Sequence, residues 1–412
     1  MASSEEPTAN GDGSPRKSPR NSKGWDGKLR LEKKALITNP EALSDPEYSD
    51  EDAPPVEQIA ADEGVSPRWH QPFTGRNKNG TTDSGWYADL LEEEPEDTDA
   101  RALCQRGRQY RIIMASIPAL KLERFKQLQK ICLRQNQISS IELPGSLGPK
   151  LKELDLYDNL ISHINGLDDL TELTSLDLSF NKIKHIKRVN HLKKLKHLYF
   201  VQNKISTIEG LDGLSDLEEL ELGANRIRTI ENLETLTSLE KLWLAKNKIS
   251  TLGNLTPLTS LKILSIQANR LTAITGLETL TSLEQLHISH NALTSLSGLS
   301  TLVNLRTLDI SNNPLTHLTG LSACVHLEEL WAGYCQFSDF GEVEHELGDK
   351  EELETVYFEG NPLQTRQPAL YRNKVRLALP RIRQIDASEC PFPFLVRCSG
   401  VGDEERAMLT VI

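Results

Sequence analysis

The sequence predicts an α/β fold: a solenoid of short repeats whose strands form one curved parallel sheet on the concave side. Two regularities carry this prediction. Asparagine recurs every 22 residues, and leucines precede it in the pattern LxxLxLxxN, as in "LEELELGAN". This pattern is the leucine-rich-repeat signature, in which stacked neighbours share one continuous core. The regularly spaced asparagines are Asn159, Asn181, Asn203, Asn225, Asn247, Asn269, Asn291 and Asn313.

Residues 1–100 are predicted to be a disordered acidic head. They hold 22 Asp and Glu against 11 Lys and Arg, whereas the remaining 312 residues hold 37 against 36. A segment this polar and this poor in aliphatic residues cannot bury enough apolar surface to offset the entropy lost on ordering. Ser14, Ser18 and Ser66 each precede proline. They suit proline-directed kinases, although Ser-Pro pairs are also common in disordered tails of any kind.

Residues 101–127 are predicted to shield the first repeat, and residues 128–370 to hold eleven turns of the solenoid. Asn136 lies 23 residues before the regular series, Cys335 continues it, and Asn361 follows after a four-residue insertion. We expect the asparagine amides to bond backbone groups at the strand exits. At about 4.8 Å between strands, eleven strands give a face roughly 50 Å long, which suits a protein better than a small molecule.

Residues 371–387 are predicted to form a C-terminal cap. The stretch "YRNKVRLALPRIRQID" has helical spacing until its proline, and a solenoid needs a terminal piece that shields its last leucines. Residues 388–412 match no part of the pattern and are assigned to a separate tail.

The residue between the paired leucines of each strand is predicted to face outward, onto the concave face, because successive side chains of a strand alternate. Over ten strands this central column contains four acids, four large aromatic residues and no Lys or Arg. With its two flanking columns it makes thirty positions that carry eight acids and one base, Lys241. Clustered Tyr and Trp are typical of binding hot spots, and acids around them favour a basic partner.

Several motifs resemble the leucine-rich-repeat regulatory subunit of type-1 protein phosphatase, the regulatory subunit 7 family. They are "LDLSFNKI", "LELGANRIRTIENLETL", "LETVYFEGNPLQ" and "YRNKVRLALPRIRQIDA", and the resemblance covers roughly residues 128–387. It implies a non-catalytic subunit that binds the catalytic subunit of type-1 protein phosphatase through the concave acidic and aromatic face. It also implies control of that enzyme's maturation, activity or localisation, including in mitosis, in the nucleus and the cytoplasm. We expect a monomer before complex formation and a further phosphatase inhibitor in a ternary complex.

The resemblance also implies which residues bind the partner. Matched motif by motif, the contact positions of the family fall largely on residues that the charge and aromatic pattern selects. These are Asp177, Tyr199, Glu221, Trp243, Asp309, Glu329, Trp331 and Tyr357.

Other classes of function fit the sequence less well. It contains no GxSxG, HExxH or glycine-rich phosphate loop, so we expect no enzyme and no cofactor or metal. Direct nucleic-acid binding would need a basic face, and only the rim positions after the ladder asparagines are basic. The alternatives are a scaffold for another basic protein and a ribonucleoprotein component. The sequence contains no run of 18 or more apolar residues, so it predicts no membrane span.

The basic rim positions form a stripe along one edge. Alternating Lys and Arg at such positions usually form only a solvated edge. They are Lys182, Lys204, Arg226, Lys248 and Arg270.

Overall fold

The computed structural model describes residues 87–88, 102–104 and 114–389, which all lie in one compact unit, Asp83–Ile412. The described residues form a sheet of fifteen strands that follow one another in sequence order. Neighbouring strands are parallel except for the last pair. The strands are β1 Tyr87–Ala88, β2 Ala102–Cys104, β3 Lys130–Cys132, β4 Glu153–Asp155, β5 Ser175–Asp177, β6 His197–Tyr199, β7 Glu219–Glu221, β8 Lys241–Trp243, β9 Ile263–Ser265, β10 Gln285–His287, β11 Thr307–Asp309, β12 Glu329–Trp331, β13 Thr355–Tyr357, β14 Gln384–Ile385 and β15 Ser388–Glu389.

Each repeat places its strand directly beside the preceding one, without a shift in register. Leu176 pairs with Leu198, and Leu198 with Leu220. These leucines are fully buried, while the residues on either side of them in β5, β6 and β7 are partly exposed. The predicted parallel-sheet solenoid of 22-residue repeats is therefore confirmed.

The return segments of the regular repeats are built from successive tight turns. Leucines recur every third residue, as at Leu211, Leu214 and Leu217, and the backbone N–H groups of Leu214 and Leu217 donate to the carbonyl three residues earlier. This spacing is that of a 3₁₀ helix, which brings every third side chain to the same side. All three leucines are buried in the common core.

The ladder asparagines join each repeat to the one before it. Asn225 Nδ2 donates to Leu222 O of its own repeat at 3.1 Å and to Phe200 O of the preceding repeat at 2.8 Å. Its Oδ1 accepts from Ile205 N at 3.0 Å. Asn181 and Asn247 make the same bonds. One amide thus satisfies backbone groups of two repeats at once, as expected from the sequence.

Cys335 takes the place of an asparagine with fewer bonds. Its Sγ donates to Ile310 O at 3.4 Å and to Gly333 O at 3.7 Å. A thiol sulfur accepts only weakly, so it gives a backbone N–H of the preceding repeat a poorer partner than an amide oxygen does.

The solenoid begins earlier than the sequence predicted. Strand β1 lies within the segment assigned to the disordered head, and β2 pairs with β3 of the first repeat. The remainder of that head lies outside the described residues. Within the predicted shield 101–127, two 3₁₀ turns, Pro118–Leu120 and Leu122–Arg124, bury apolar side chains against the first repeat; a third, Gly145–Leu147, follows β3.

The helices of the described residues lie towards the C-terminal end: α1 Phe340–Leu347, α2 Pro362–Thr365 and α3 Pro368–Ala378. Helix α1 occupies the repeat that has the four-residue insertion. Helix α3 begins three residues before the predicted cap, and β15 includes residues assigned to the tail. None of these helices has the length and apolar character needed to span a bilayer. Residues 390–412 lie outside the described part of the chain.

Asp386 completes the ladder at the cap. Its Oδ1 accepts from Phe358 N and Glu359 N, both at 2.9 Å, and from Tyr371 Oη of α3 at 3.1 Å. A carboxylate suits this position because its Oδ1 accepts all three of these bonds, and a carboxylate oxygen is an acceptor only.

We predict that Asn247→Ala lowers the free energy of unfolding by about 2–4 kcal/mol, because it leaves buried backbone groups of two repeats without partners. The measurement is urea denaturation followed by circular dichroism. Thr229→Ala, an exposed loop position, is the control and should change stability by less than about 0.5 kcal/mol. Equal unfolding midpoints for both variants would contradict the role of the ladder.

Candidate functional site

Seven of the eight predicted site residues lie in one continuous row across the concave face. The row follows strand register, as Asp177 pairs with Tyr199, Tyr199 with Glu221, and Glu221 with Trp243. Towards the other end, Asp309 pairs with Trp331, and Trp331 with Tyr357. The eighth residue, Glu329, lies in the adjacent row on the same strand as Trp331.

The eight predicted residues divide into two groups. The acidic group comprises Asp177, Tyr199, Glu221 and Trp243 on β5–β8, and the aromatic group comprises Asp309, Glu329, Trp331 and Tyr357 on β11–β13. Ser265 and His287 lie between them. Trp243 and Asp309 are three strands apart, about 14 Å at the usual spacing. Two contact regions at this distance can be covered by one protein partner.

Arg134 partly neutralises the N-terminal end of the concave face. Its guanidinium forms ion pairs with Asp155 and, at 3.2 Å, with Asp177, and it lies over the Tyr157 ring. Asp177 is nevertheless so buried that its pKa rises to about 6, with the neighbouring charge of Asp155 adding to the effect. One arginine shared between two carboxylates leaves this end acidic.

Among the carboxylates of the site, that of Glu221 has the fewest stabilising contacts. Burial, together with the charges of Asp177 and Glu219, raises its pKa to about 7. Among the described residues, no hydrogen bond or ion pair holds its carboxylate. An acid that is half-buried without a cation is costly to ionise. A basic side chain from a partner would remove that cost.

Glu219, next to this carboxylate, is supported from within the chain. Tyr199 Oη donates to Glu219 Oε2 at 3.3 Å, His197 Nδ1 lies 3.6 Å from the same oxygen, and Lys241 Nζ lies 3.7 Å from it. Although burial acts in the opposite direction, His197 and Lys241 lower the pKa of Glu219. Burial, together with the charge of Glu219, raises the pKa of Tyr199, so its hydroxyl stays protonated and fixed as a donor.

The aromatic group presents the most exposed ring of the site. Trp331 is 40% exposed, and its ring centroid lies 5.4 Å from that of Tyr357. Its Nε1 donates to Glu329 Oε2 at 3.2 Å. Gln384 Nε2 of the cap donates to Tyr357 Oη at 2.6 Å. Two rings whose orientations are fixed by hydrogen bonds need little ordering on binding, which favours a hot spot.

The aspartates of the central column also have a local role that the sequence did not reveal. The Oδ1 atoms of Asp155, Asp177 and Asp309 accept from the backbone N–H two residues later. This side-chain turn stabilises the strand exit. Asp309 is only 6% exposed, so of the eight predicted residues it offers little surface to a partner.

Two bases of the concave face were missed by the sequence count because it began at β4. One repeat earlier, Lys130 occupies the column of Glu153, and Arg134 that of Tyr157. Lys130 forms an ion pair with Glu153 at 2.6 Å. Extending each column back by one repeat would have found both residues.

Within the described residues, no group of three or more His, Cys, Asp or Glu side chains is placed to hold a metal. Burial lowers the pKa of His287 and of His290. The carboxylates and rings of the site form an extended surface that can bind cationic and aromatic groups of another molecule.

Comparisons with known proteins agree with the repeat and point to a family. The models described as "Leucine Rich repeats (2 copies)" and "Leucine rich repeat" match residues 193–235, 237–279 and 281–323, and 126–183, respectively. The protein phosphatase 1 regulatory subunit SDS22 of Schizosaccharomyces pombe is 71% identical over 304 residues, which cover 74% of this chain and 89% of that protein. The SDS22 subunit of Saccharomyces cerevisiae is 44% identical over 90 residues, which cover 21% and 25%.

Solved structures share the fold. An internalin of Listeria monocytogenes superposes with a TM-score of 0.55 at 24% identity, over 70% of this chain and 87% of the internalin. A leucine-rich-repeat protein of Leptospira interrogans superposes with a TM-score of 0.52 at 25% identity, over 69% and 75%. The fold alone is common to these proteins, so function rests on the residues of the concave face and on the close relatives.

We predict that Glu221→Gln raises the free energy of unfolding of the free protein relative to wild type, and that this gain is larger at pH 8 than at pH 4. The folded state raises the pKa of Glu221 from 4.5 to about 7, so the wild type loses stability as the pH rises through this window, whereas the amide does not. Urea denaturation of both proteins at several pH values measures the difference. In an Asp177→Asn background the window should move to lower pH. A difference between Glu221→Gln and wild type that does not vary with pH would contradict the assignment.

Proposed function

The chain belongs to the SDS22 family of protein phosphatase 1 regulatory subunits, and from this premise we propose that it binds the catalytic subunit of protein phosphatase 1 through its concave face. The observation that carries the proposal is the row of in-register strand positions, which combines incompletely neutralised carboxylates with partly exposed aromatic rings. We propose a non-catalytic role, in which the chain acts on its partner by occupying part of that partner's surface.

The length of the row supports a protein as the ligand. The predicted contacts extend from β5 to β13, eight strand spacings or roughly 38 Å. Stable protein interfaces extend over comparable dimensions, with a few anchoring residues near their centres. Small-molecule sites are instead concave pockets that enclose most of the ligand.

The charge of the acidic group favours a basic patch on the partner. Glu221 has no cation of its own among the described residues, and Asp177 shares Arg134 with Asp155. A lysine or arginine of the phosphatase placed here would let Glu221 ionise fully. Such charge complementarity speeds the encounter with a basic partner and disfavours binding of acidic surfaces.

The aromatic group favours an anchoring contact at the other end. Trp331 and Tyr357 form a pair, and the cap holds Tyr357 through Gln384. Large rings that are already fixed bury apolar area at a small cost in side-chain entropy. We therefore assign affinity mainly to these rings and to Trp243, and partner choice mainly to the carboxylates.

We further propose that this contact controls the maturation, activity or localisation of the phosphatase, including in mitosis, and that it operates in the nucleus and the cytoplasm. Because the whole contact lies on one face, the rest of the solenoid leaves room for a further phosphatase inhibitor in a ternary complex. We propose that the chain is a monomer until it binds.

We predict that Trp243→Ala combined with Trp331→Ala weakens binding of the phosphatase catalytic subunit by at least about tenfold, since loss of a hot-spot ring costs on the order of 2 kcal/mol. Isothermal titration calorimetry measures the affinity. Because both rings face outward, the thermal unfolding midpoint should stay nearly unchanged. Leu242→Ala, which removes a buried leucine of the same strand, is the contrasting control and should mainly lower stability. Undiminished binding by the double variant would overturn the concave-face assignment.

We also predict that affinity for the catalytic subunit increases between pH 6 and pH 8. The pKa of Glu221 is about 7 in the free protein, and a partner cation binds the ionised form, so complex formation releases a proton within this range. Titrations in two buffers of different ionisation enthalpy measure the released proton. Glu221→Gln should weaken binding at pH 8 and reduce the pH dependence. An unchanged pH profile in this variant would refute the contact.

A further inference from the structure

A single segment of the solenoid carries an unusual concentration of positive charge. Residues 178–208 contain eight Lys and Arg and no Asp or Glu, in a chain of net charge −12. This segment includes the repeat that follows strand β5. Such a concentration needs an explanation, because the neighbouring repeats mix both signs.

Some of these cations have evident structural partners. Lys194 forms an ion pair with Glu172 at 2.6 Å, and Lys196 with Glu218 at 2.6 Å. Lys193 Nζ donates to backbone carbonyl groups of the following repeat. These three lysines link adjacent repeats, so their ammonium groups already have partners within the chain.

Four of the five remaining cations line one groove; the fifth, Lys204, does not. The return segments after β4 and β5 enclose about 610 Å³, lined among others by His163, Lys182, Lys184, His185, Lys187 and Arg188. No Asp or Glu is among the lining residues. Within the described residues, no ion pair holds Lys182, Lys187 or Arg188. The carboxylate at its edge is Glu209, which lies 2.8 Å from His185 Nδ1.

Arg188 occupies a backbone position that disfavours a side chain. Its φ is 57°, and the equivalent residues of the two flanking repeats are Gly166 and Gly210, with φ of 67° and 69°. Asn232, the equivalent residue one repeat later, bonds Ile208 O at 2.6 Å and so gains a local contact. The Arg188 side chain is exposed and has no such bond. Backbone strain that no local contact offsets is typical of functional positions.

We propose that this groove is a second docking site, which binds a segment of a partner protein dense in Asp, Glu or phosphoserine. The groove supplies two lysines and an arginine without internal counterions, together with two imidazoles. Arg188 gives a forked donor suited to carboxylate or phosphate oxygens. The site is separate from the concave face, so it does not depend on the function proposed there.

The surroundings favour an acidic peptide over RNA. No Phe, Tyr or Trp lines the groove, and proteins that bind single-stranded RNA rely on bases stacking against such rings. One aliphatic side chain, Leu160, is 38% exposed at the neighbouring strand exit. A peptide has aliphatic side chains that can cover it, whereas a phosphate backbone has none.

The test uses the full-length chain and a fluorescein-labelled synthetic peptide in which about eight Asp and Glu residues alternate with Ser, Gly and Leu. We expect saturable binding by fluorescence anisotropy that weakens as salt is raised, because exposed charges are screened. Lys182→Glu combined with Lys187→Glu should weaken binding at least about tenfold. The matched control, Lys248→Glu combined with Arg270→Glu, changes two later positions of the same rim stripe and should bind nearly as well as wild type.

Arg188→Gly separates a binding role from a structural one. It restores the residue of the flanking repeats, so it should raise the unfolding midpoint while weakening peptide binding several-fold. A phosphoserine version of the peptide should bind more tightly than the carboxylate version, since each phosphate carries more charge.

Three results would overturn the proposal. They are an absence of peptide binding to the wild type, equal binding by the groove and control variants, and tighter binding of a ten-nucleotide single-stranded RNA than of the acidic peptide. Trp243→Ala combined with Trp331→Ala should leave peptide binding unchanged. If this variant loses phosphatase binding but still binds the peptide, the two sites are shown to be independent. The success or failure of either proposal can then be judged separately.

Discussion

The asparagine amide at each strand exit is the interaction on which the rest of the structure depends. It donates to carbonyl groups of its own repeat and of the preceding one, and accepts from a backbone N–H of the preceding repeat. These buried groups would otherwise be unpaired, at a cost of about 1–3 kcal/mol each. Because every amide spans two repeats, it holds neighbouring strands at a constant offset of 22 residues. The unshifted strand register follows from this link together with the leucines that fill the core.

Constant register brings side chains with equal positions in the repeat into contact. Asp155, Asp177 and Glu221 are far apart in sequence, yet the charge of Asp155 helps to raise the pKa of Asp177, and the charge of Asp177 helps to raise that of Glu221. A fold optimised for its own stability would not place carboxylates together where one of them lacks a cation. The cost is understandable when a partner supplies the missing charge, since binding and active sites commonly trade stability for function.

The solenoid also separates charges of opposite sign. Acids and rings occupy the concave face, whereas Lys182, Lys187 and Arg188, which have no ion pair among the described residues, line the groove formed by the return segments after β4 and β5. A repeat fold allows this because the core needs only the leucine positions, which leaves the outward positions of each repeat free to vary. One chain can therefore offer two surfaces of different chemistry. An acidic surface and a basic one attract different partners, which suits a subunit of a regulatory complex.

The sequence by itself determined the repeat, its period and the side of the strand on which each residue lies, because these follow from local periodicity. It also identified the central column, and Trp331 is exposed as the alternation requires. The tertiary structure decided what depends on contacts between repeats. Asp309 proved nearly buried. Arg134 pairs with Asp177 of the acidic group and comes from a repeat that the column count omitted. Strand β1 arose within the acidic head, and helix α3 began before the predicted cap. Local pattern fixes the direction of a side chain, but its neighbours fix its exposure, its charge and its partners.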